Sequence, residues 1–215
     1  VMSEIFQRNF AAIEQRWPLI AQRLLAEDTD AVPAQLLEGQ GSTLSVAGVQ
    51  LTSRHDRVAE AHVQAASLPP DSATVHLYGT GLGDLQRVLL ATDTLQALHV
   101  HILNGALFAL VLQLIEQHDW LTDPRVQLDY ADARSEIQLP FFALPAERVL
   151  ADDSSARIRD RLVSEVHVGF NNQDFSPDNP DNIQRLEQGR ALLQSDTDVG
   201  ELFGTQAGRE VFIIA

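Results

Sequence analysis

Thr74-Val75-His76-Leu77-Tyr78-Gly79-Thr80-Gly81-Leu82-Gly83-Asp84 is the stretch that decides how this sequence folds. Thr74 to Tyr78 is a short run that begins with two β-branched residues, which predicts a strand. Glycines at 79, 81 and 83 predict a sharp turn, and Asp84 to Ala91 reads as the helix that follows. Moving outward, Leu98 to Leu103 reads as a second strand, Ala106 to His118 as a second helix and Arg125 to Tyr130 as a third strand. Alternation of strand and helix builds a parallel sheet covered by helices. The expected class is α/β, a Rossmann-like (methyltransferase-like) parallel sheet occupying residues 71–150.

The flanks read differently. Phe6, Phe10, Ile13, Trp17, Ile20 and Leu24 fall on one helical stripe, which Pro18 interrupts, so two helical pieces or a kinked helix are expected. Ser42 to Thr52 alternates apolar and polar residues on both sides of Ala47-Gly48, a small β-hairpin, and Arg57 to Ser67 reads as a helix. Residues 1–70 are therefore expected to form an N-terminal helical and hairpin subdomain. Beyond residue 150 a C-terminal helical segment is expected, with helices over Ser155 to Phe170 and Asn179 to Leu193 and a turn-rich loop from Asn171 to Pro180. Val211 to Ala215 has the composition of a buried strand. It is expected to lead into a further, catalytic domain missing from this chain, so that 151–215 is an extension between two domains.

Composition narrows the function. The 215 residues carry 15 Lys+Arg against 30 Asp+Glu, a formal charge of −15, which argues against nucleic acid as a partner because phosphate backbones are bound by cations. Cysteine is absent, which removes thiolate nucleophiles and Cys-ligated metals. Every basic residue is arginine, so there is no phosphate-loop or Schiff-base lysine. The most apolar stretch, Leu95 to Ile115, is interrupted by His99, His101, Asn104 and Gly105, and Val1-Met2-Ser3-Glu4 lacks a basic leader. No membrane partner and a cytoplasmic location are the expectations.

The chemistry-bearing candidates are few. Gly79, Thr80, Gly81 and Gly83 form a turn of the kind that lets backbone amides approach a nucleotide. Its spacing departs from the dinucleotide fingerprint, whose sixth position is Asp84 here, and lies nearer that of methyltransferase-like domains. Asn104 stands at the end of the second strand, where a carboxylate commonly holds ribose hydroxyls; an amide bonds a hydroxyl without charge assistance. Asp132, after the third strand, is placed either to meet a base edge or to cap the next turn. A nucleotide or an S-adenosylmethionine-like molecule is the ligand this constellation would take, although no cofactor is fixed by it. His99 and His101 share one strand face without a third ligand, so packing is expected rather than a metal. His55, His62, His76, His118 and His167 carry no signal. The Asp pairs 28/30, 152/153, 178/181 and 196/198 read as caps and surface, and no nucleophile elbow is present.

The leading helix with Asn9-Phe10, the Tyr78 to Gly83 turn and the terminal Glu210 to Ala215 run together resemble the N-terminal region of the motility accessory factor glycosyltransferases. The resemblance implies a chain that precedes a 6-hydroxymethylpterin diphosphokinase-like domain, where the chemistry resides. It implies transfer of a nine-carbon nonulosonic sugar from a CMP-activated donor to Ser/Thr of flagellin. On that reading the present chain positions acceptor or donor, its partners are the downstream catalytic domain and flagellin, and it is not catalytic alone. No catalytic residue is carried over, and Asn104 departs from the acidic residue that family shows at the strand end. Two rival readings stand beside it. One is an S-adenosylmethionine-dependent methyltransferase-like domain using Gly79, Gly81, Gly83, Asn104 and Asp132, and the other is an interaction module whose glycine turn binds nothing.

Overall fold

The structure, a computed structural model, describes residues 3–39, 41–132 and 134–174, together with 180, 182–184 and 187. The chain divides into two compact units, residues 1–165 and 166–215. In the first unit, α1 (Glu4–Arg16) begins at Ser3, whose hydroxyl accepts from the Phe6 amide. Pro18 opens α2 (Pro18–Leu25) at its first position, where a missing N–H costs nothing, and Trp17 between them is non-helical. The proline thus splits the stripe into two helices.

A three-stranded antiparallel sheet follows, β1 (Ala34–Leu37), β2 (Thr43–Val46) and β3 (Val49–Gln50), in that order. Its tight turn is Ala47-Gly48, both with positive φ. Then α3 (Arg57–Ala66) starts on Asp56, whose carboxylate accepts from the Ala59 amide.

The α/β run comprises β4 (Thr74–Tyr78), α4 (Asp84–Leu90), β5 (Ala97–Ile102), α5 (Gly105–Leu114), α6 (His118–Leu121), β6 (Val126–Tyr130), β7 (Phe141–Ala143) and α7 (Pro145–Val149). The sheet order is β6-β5-β4-β7, and every pair is parallel. This is the Rossmann-like α/β class. The chain steps outward from β4 through β5 to β6 and then returns to β7 on the other side. Open sheets of this kind bind ligands outside the strands' carboxyl ends where the order reverses, which is here between β4 and β7.

Register assigns the two faces. Val75, Leu77, Leu98, Val100, Ile102, Val126 and Leu128 form the first face and share one core with Phe6 and Ile13 of α1, Leu24 of α2, Phe108 and Leu112 of α5 and Trp120 of α6. His76, Tyr78, His99, His101 and Phe141 lie on the second. A 3-10 turn (Asp153–Ser155) leads into α8 (Ala156–Asp174), whose Ile158 and Leu162 cover Tyr78 and Ala143 at the carboxyl end of that face. The small antiparallel sheet brings Leu44 and Val46 onto Leu82, Leu107 and Val111, roofing the strand ends.

Some elements differ from expectation. The predicted helix from Ala106 ends at Leu114, because Ile115 turns extended and the Asn9 amide donates to the carbonyls of Leu112 and Ile115. β1, β7 and α7 have no counterpart in the sequence reading. α8 runs through Asn171 to Asp174, residues read as loop. From 175 onward, apart from the positions named above, the predicted helix, loop and terminal strand lie outside the described residues. Among the described residues no helix is long and apolar enough to cross a membrane.

Candidate functional site

Residues Gly79 to Gly83 leave β4 at the position where a Rossmann-like domain would hold a phosphate or a nucleoside, and all five are buried. Gly79, Gly81 and Gly83 all have positive φ. At Gly79 a side chain would also collide, since an added Cβ would lie 3.1 Å from the Cβ atoms of both Leu144 and Glu147. Gly79 and Gly81 therefore make room for the chain's own segment 144–147, whereas a Cβ at Gly83 would meet Gln117, Arg87 and Trp120.

That segment supplies what the turn binds. Leu144 donates its amide to the Tyr78 carbonyl at 2.9 Å, anchoring the start of α7 against β4. Glu147, 1% exposed, then projects its carboxylate into the turn. Oε2 accepts from the Thr80 amide at 3.0 Å, Oε1 accepts from the Gly81 amide, and the Thr80 hydroxyl lies 3.5 Å from Oε1. Two adjacent main-chain amides directed at one pair of oxygens are the geometry of a phosphate cradle, and here the oxygens belong to a side chain of the same protein. Burial pushes the Glu147 carboxyl above the ordinary carboxylate range, opposed by the hydrogen bonds from Thr80 and Gly81.

Two of the turn's carbonyls are engaged as well. Gln86, 1% exposed, donates to the Thr80 carbonyl at 2.6 Å, and Gln117, fully buried, donates to the Leu82 carbonyl at 3.0 Å. Gln117 in turn accepts from the Trp120 indole at 2.6 Å and gives its own amide to Asn9 Oδ1 at 2.8 Å. Asp84, the sixth position of the motif, takes a bidentate bond from Arg57, with both contacts at 2.9 Å. The turn is a hydrogen-bond node joining α1, α3, α4, α6 and α7.

The other sequence candidates bond elsewhere. Asn104 caps α5, accepting from the Leu107 amide at 2.9 Å, and donates to the Leu150 carbonyl at 2.6 Å. Beside it, Gly105 is bare because the Glu27 carboxylate and the Tyr130 hydroxyl occupy the space a Cβ would need. Tyr130 bonds Glu27 at 3.2 Å while the Arg23 guanidinium lies 3.5 Å from its ring centroid. Burial, and the neighbouring Glu27 charge after it, raise the Tyr130 phenol. Asp132 is exposed and closes its own turn, accepting from the amides of Arg134 at 2.8 Å and Ser135 at 3.1 Å. The structure thus brings Gly79, Thr80 and Gly81 together around Glu147, sets Gly83 beside Gln117 and Trp120, and uses Asn104 and Asp132 as local caps.

The histidines form a feature that the strand spacing only half revealed. His99, His76, His101 and Tyr78 stack in that order, with centroids 4.6, 5.4 and 4.5 Å apart and planes within 15° of parallel. His76 Nδ1 and His101 Nε2 share a hydrogen bond of 3.1 Å. Stacked rings do not aim three nitrogens at one point, and among the described residues no group of three His, Cys, Asp or Glu could hold a metal ion. Burial, with His76 and His99 adding to it, holds His101 down to about 4.

Sequence reasoning missed Glu147 and His76. Pro145 at the first position of a helix, with Glu147 two residues later, was the available signal for α7. His76 lies directly opposite His99 in the β4–β5 register, which becomes visible only once the pairing is known.

No family model and no curated protein matches the sequence. Among solved structures the chain is similar to a spermidine synthase in complex with the transition state analogue AdoDATO, at 19% identity and a TM-score of 0.42, covering 50% of this chain and 40% of that one. Spermidine synthase from Thermotoga maritima gives 18% identity, a TM-score of 0.41 and the same coverages. A MAf glycosyltransferase from Magnetospirillum magneticum AMB-1 gives 12% identity and a TM-score of 0.48, covering 74% of this chain and 35% of that one. The chain spans less than half the length of each of these proteins.

Proposed function

We propose that this chain is a non-catalytic Rossmann-like accessory domain of a flagellin-modifying glycosyltransferase, and that it positions acceptor or donor for a separate catalytic domain. The observation that carries the non-catalytic part is the Glu147 carboxylate seated on the Thr80 and Gly81 amides. A nucleotide phosphate or an S-adenosylmethionine carboxylate would need those donors, and both are engaged. The assignment to the motility accessory factor family rests on the terminal Glu210 to Ala215 run, which lies outside the described residues, and on the Asn9-Phe10 helix and the glycine turn. The helix and the turn meet in the fold, since Gln117 bonds Asn9 on one side and the Leu82 carbonyl on the other.

The methyltransferase-like reading requires Glu147 to leave the turn. Calorimetric titration of S-adenosylmethionine and of CMP into the 215-residue chain separates the two. The accessory-domain reading expects no heat and no rise in melting temperature with either ligand. Saturable heat that Gly81→Val abolishes would establish the methyltransferase-like reading instead. Sugar transfer to flagellin by this chain alone would overturn the proposal from the other side.

A further inference from the structure

At the amino ends of β4 and β5, away from the glycine turn, the surface holds a cavity of about 370 Å³ between the last turns of α3 and α4. Leu68, Val75, Leu89 and Leu95 line it, and each is buried. Covering such a floor removes apolar surface from water and favours an aliphatic occupant. The apolar character continues up α3. Ala66 lines the cavity, and Val63, one turn earlier on the same helix face, is 74% exposed.

Charge decides which aliphatic partner fits. Asp71 stands on the rim, and Asp93 sits between Thr92 and Thr94, which also line it. α3 ends at the cavity with no basic residue in its last turn, so it brings no cation of its own to the negative end of its dipole. Arg125, the cation near Asp93, is committed to Asp123 at 2.8 Å and to the carbonyls of Leu90 and Leu95. Anionic nucleotides are therefore disfavoured, and so is a second copy of a chain that carries −15 and no lysine.

We propose that this groove docks a basic amphipathic segment of a partner protein, with an aliphatic side chain seated on Leu68, Val75, Leu89 and Leu95 and with Lys or Arg facing Asp71 and Asp93. The inference is independent of what the glycine turn does. Exposed residues can be changed without touching the core: Ala66→Arg fills the groove and reverses its charge, and Asp71→Asn removes one rim charge at a residue type that tolerates the positive φ found there.

Selection of random dodecapeptides on the whole 215-residue chain tests it. Enriched peptides should combine net positive charge with aliphatic anchors. Their affinity, read by fluorescence anisotropy, should fall about tenfold or more in Ala66→Arg and several-fold in Asp71→Asn, and should weaken with salt. Melting temperatures of both variants should match the unmodified chain, which separates lost docking from lost folding. Four results overturn the proposal: no enrichment, neutral or acidic enriched peptides, affinity indifferent to Ala66→Arg, or self-association that Ala66→Arg abolishes.

Discussion

Replacing Glu147 by alanine is the perturbation that separates a closed node from an open cradle. The carboxylate is the acceptor for the amides of Thr80 and Gly81, and at 3.5 Å a marginal acceptor for the Thr80 hydroxyl. The hydroxyl can rotate to another partner, whereas the two amides are fixed by the backbone of a buried turn. An orphaned buried donor costs about 1–3 kcal/mol, so two give about 2–6 kcal/mol, with water entering the vacated space pulling the value toward the middle. The expected loss is about 3–4 kcal/mol, a large part of the ~5–15 kcal/mol that holds a domain of this size together. Glu147→Gln keeps one acceptor oxygen but turns an NH2 toward the other amide, so about half that loss is expected. Urea unfolding followed by the fluorescence of buried Trp120 reads both, as a lower midpoint at unchanged slope. Formate added to Glu147→Ala should recover part of the loss, because a free carboxylate fits the same two donors, and should leave the unmodified chain unaffected. An alanine variant within about 0.5 kcal/mol of the unmodified chain would refute the reasoning.

Three further outcomes are expected. Because the folded pKa of His101 is about 4 and its ordinary value is 6.5, the neutral ring's contribution is complete above pH 6.5 and is lost as pH falls from there toward about 4. At about 1.4 kcal/mol per pH unit the loss approaches about 3 kcal/mol, and His101→Gln, which keeps a partner for His76 without titrating, should flatten the urea midpoints across that window. Gly83→Ala combines a φ of +87° with a Cβ 2.7 Å from the Arg87 guanidinium and 2.9 Å from the Trp120 indole nitrogen, so the melting temperature should drop by an amount equivalent to about 2 kcal/mol or more. Asn9→Ala strands the Leu112 and Ile115 carbonyls and the Gln117 amide in the interior, which should lower unfolding stability by about 2–4 kcal/mol in the same urea assay.

The strand from Thr74 to Tyr78 and the helix from Asp84 were legible because three glycines punctuate an apolar strand and a polar helix start, and β5, α5 and β6 followed from the same grammar. β7 was not. It is a three-residue strand between Pro140 and Pro145, too short for any period to show, and it earns its place only by pairing with β4. Its absence from the sequence reading also hid α7, and with it Glu147, which acts on Thr80 across 67 positions. A Gly-x-Gly-x-Gly turn has the same sequence whether it cradles a ligand or a distant carboxylate. Asn104 and Asp132 illustrate the same limit, since amide and carboxylate side chains near strand ends cap helices and turns with the very atoms that would hold a ribose or a base.

Amide hydrogen exchange at Thr80 and Gly81, resolved by NMR with and without S-adenosylmethionine or CMP, tests the central claim most directly. Slow exchange at both amides in the free chain, unchanged by either ligand, is the result expected of donors held by Glu147. Fast exchange in the free chain that becomes slow when a nucleotide is added would contradict it.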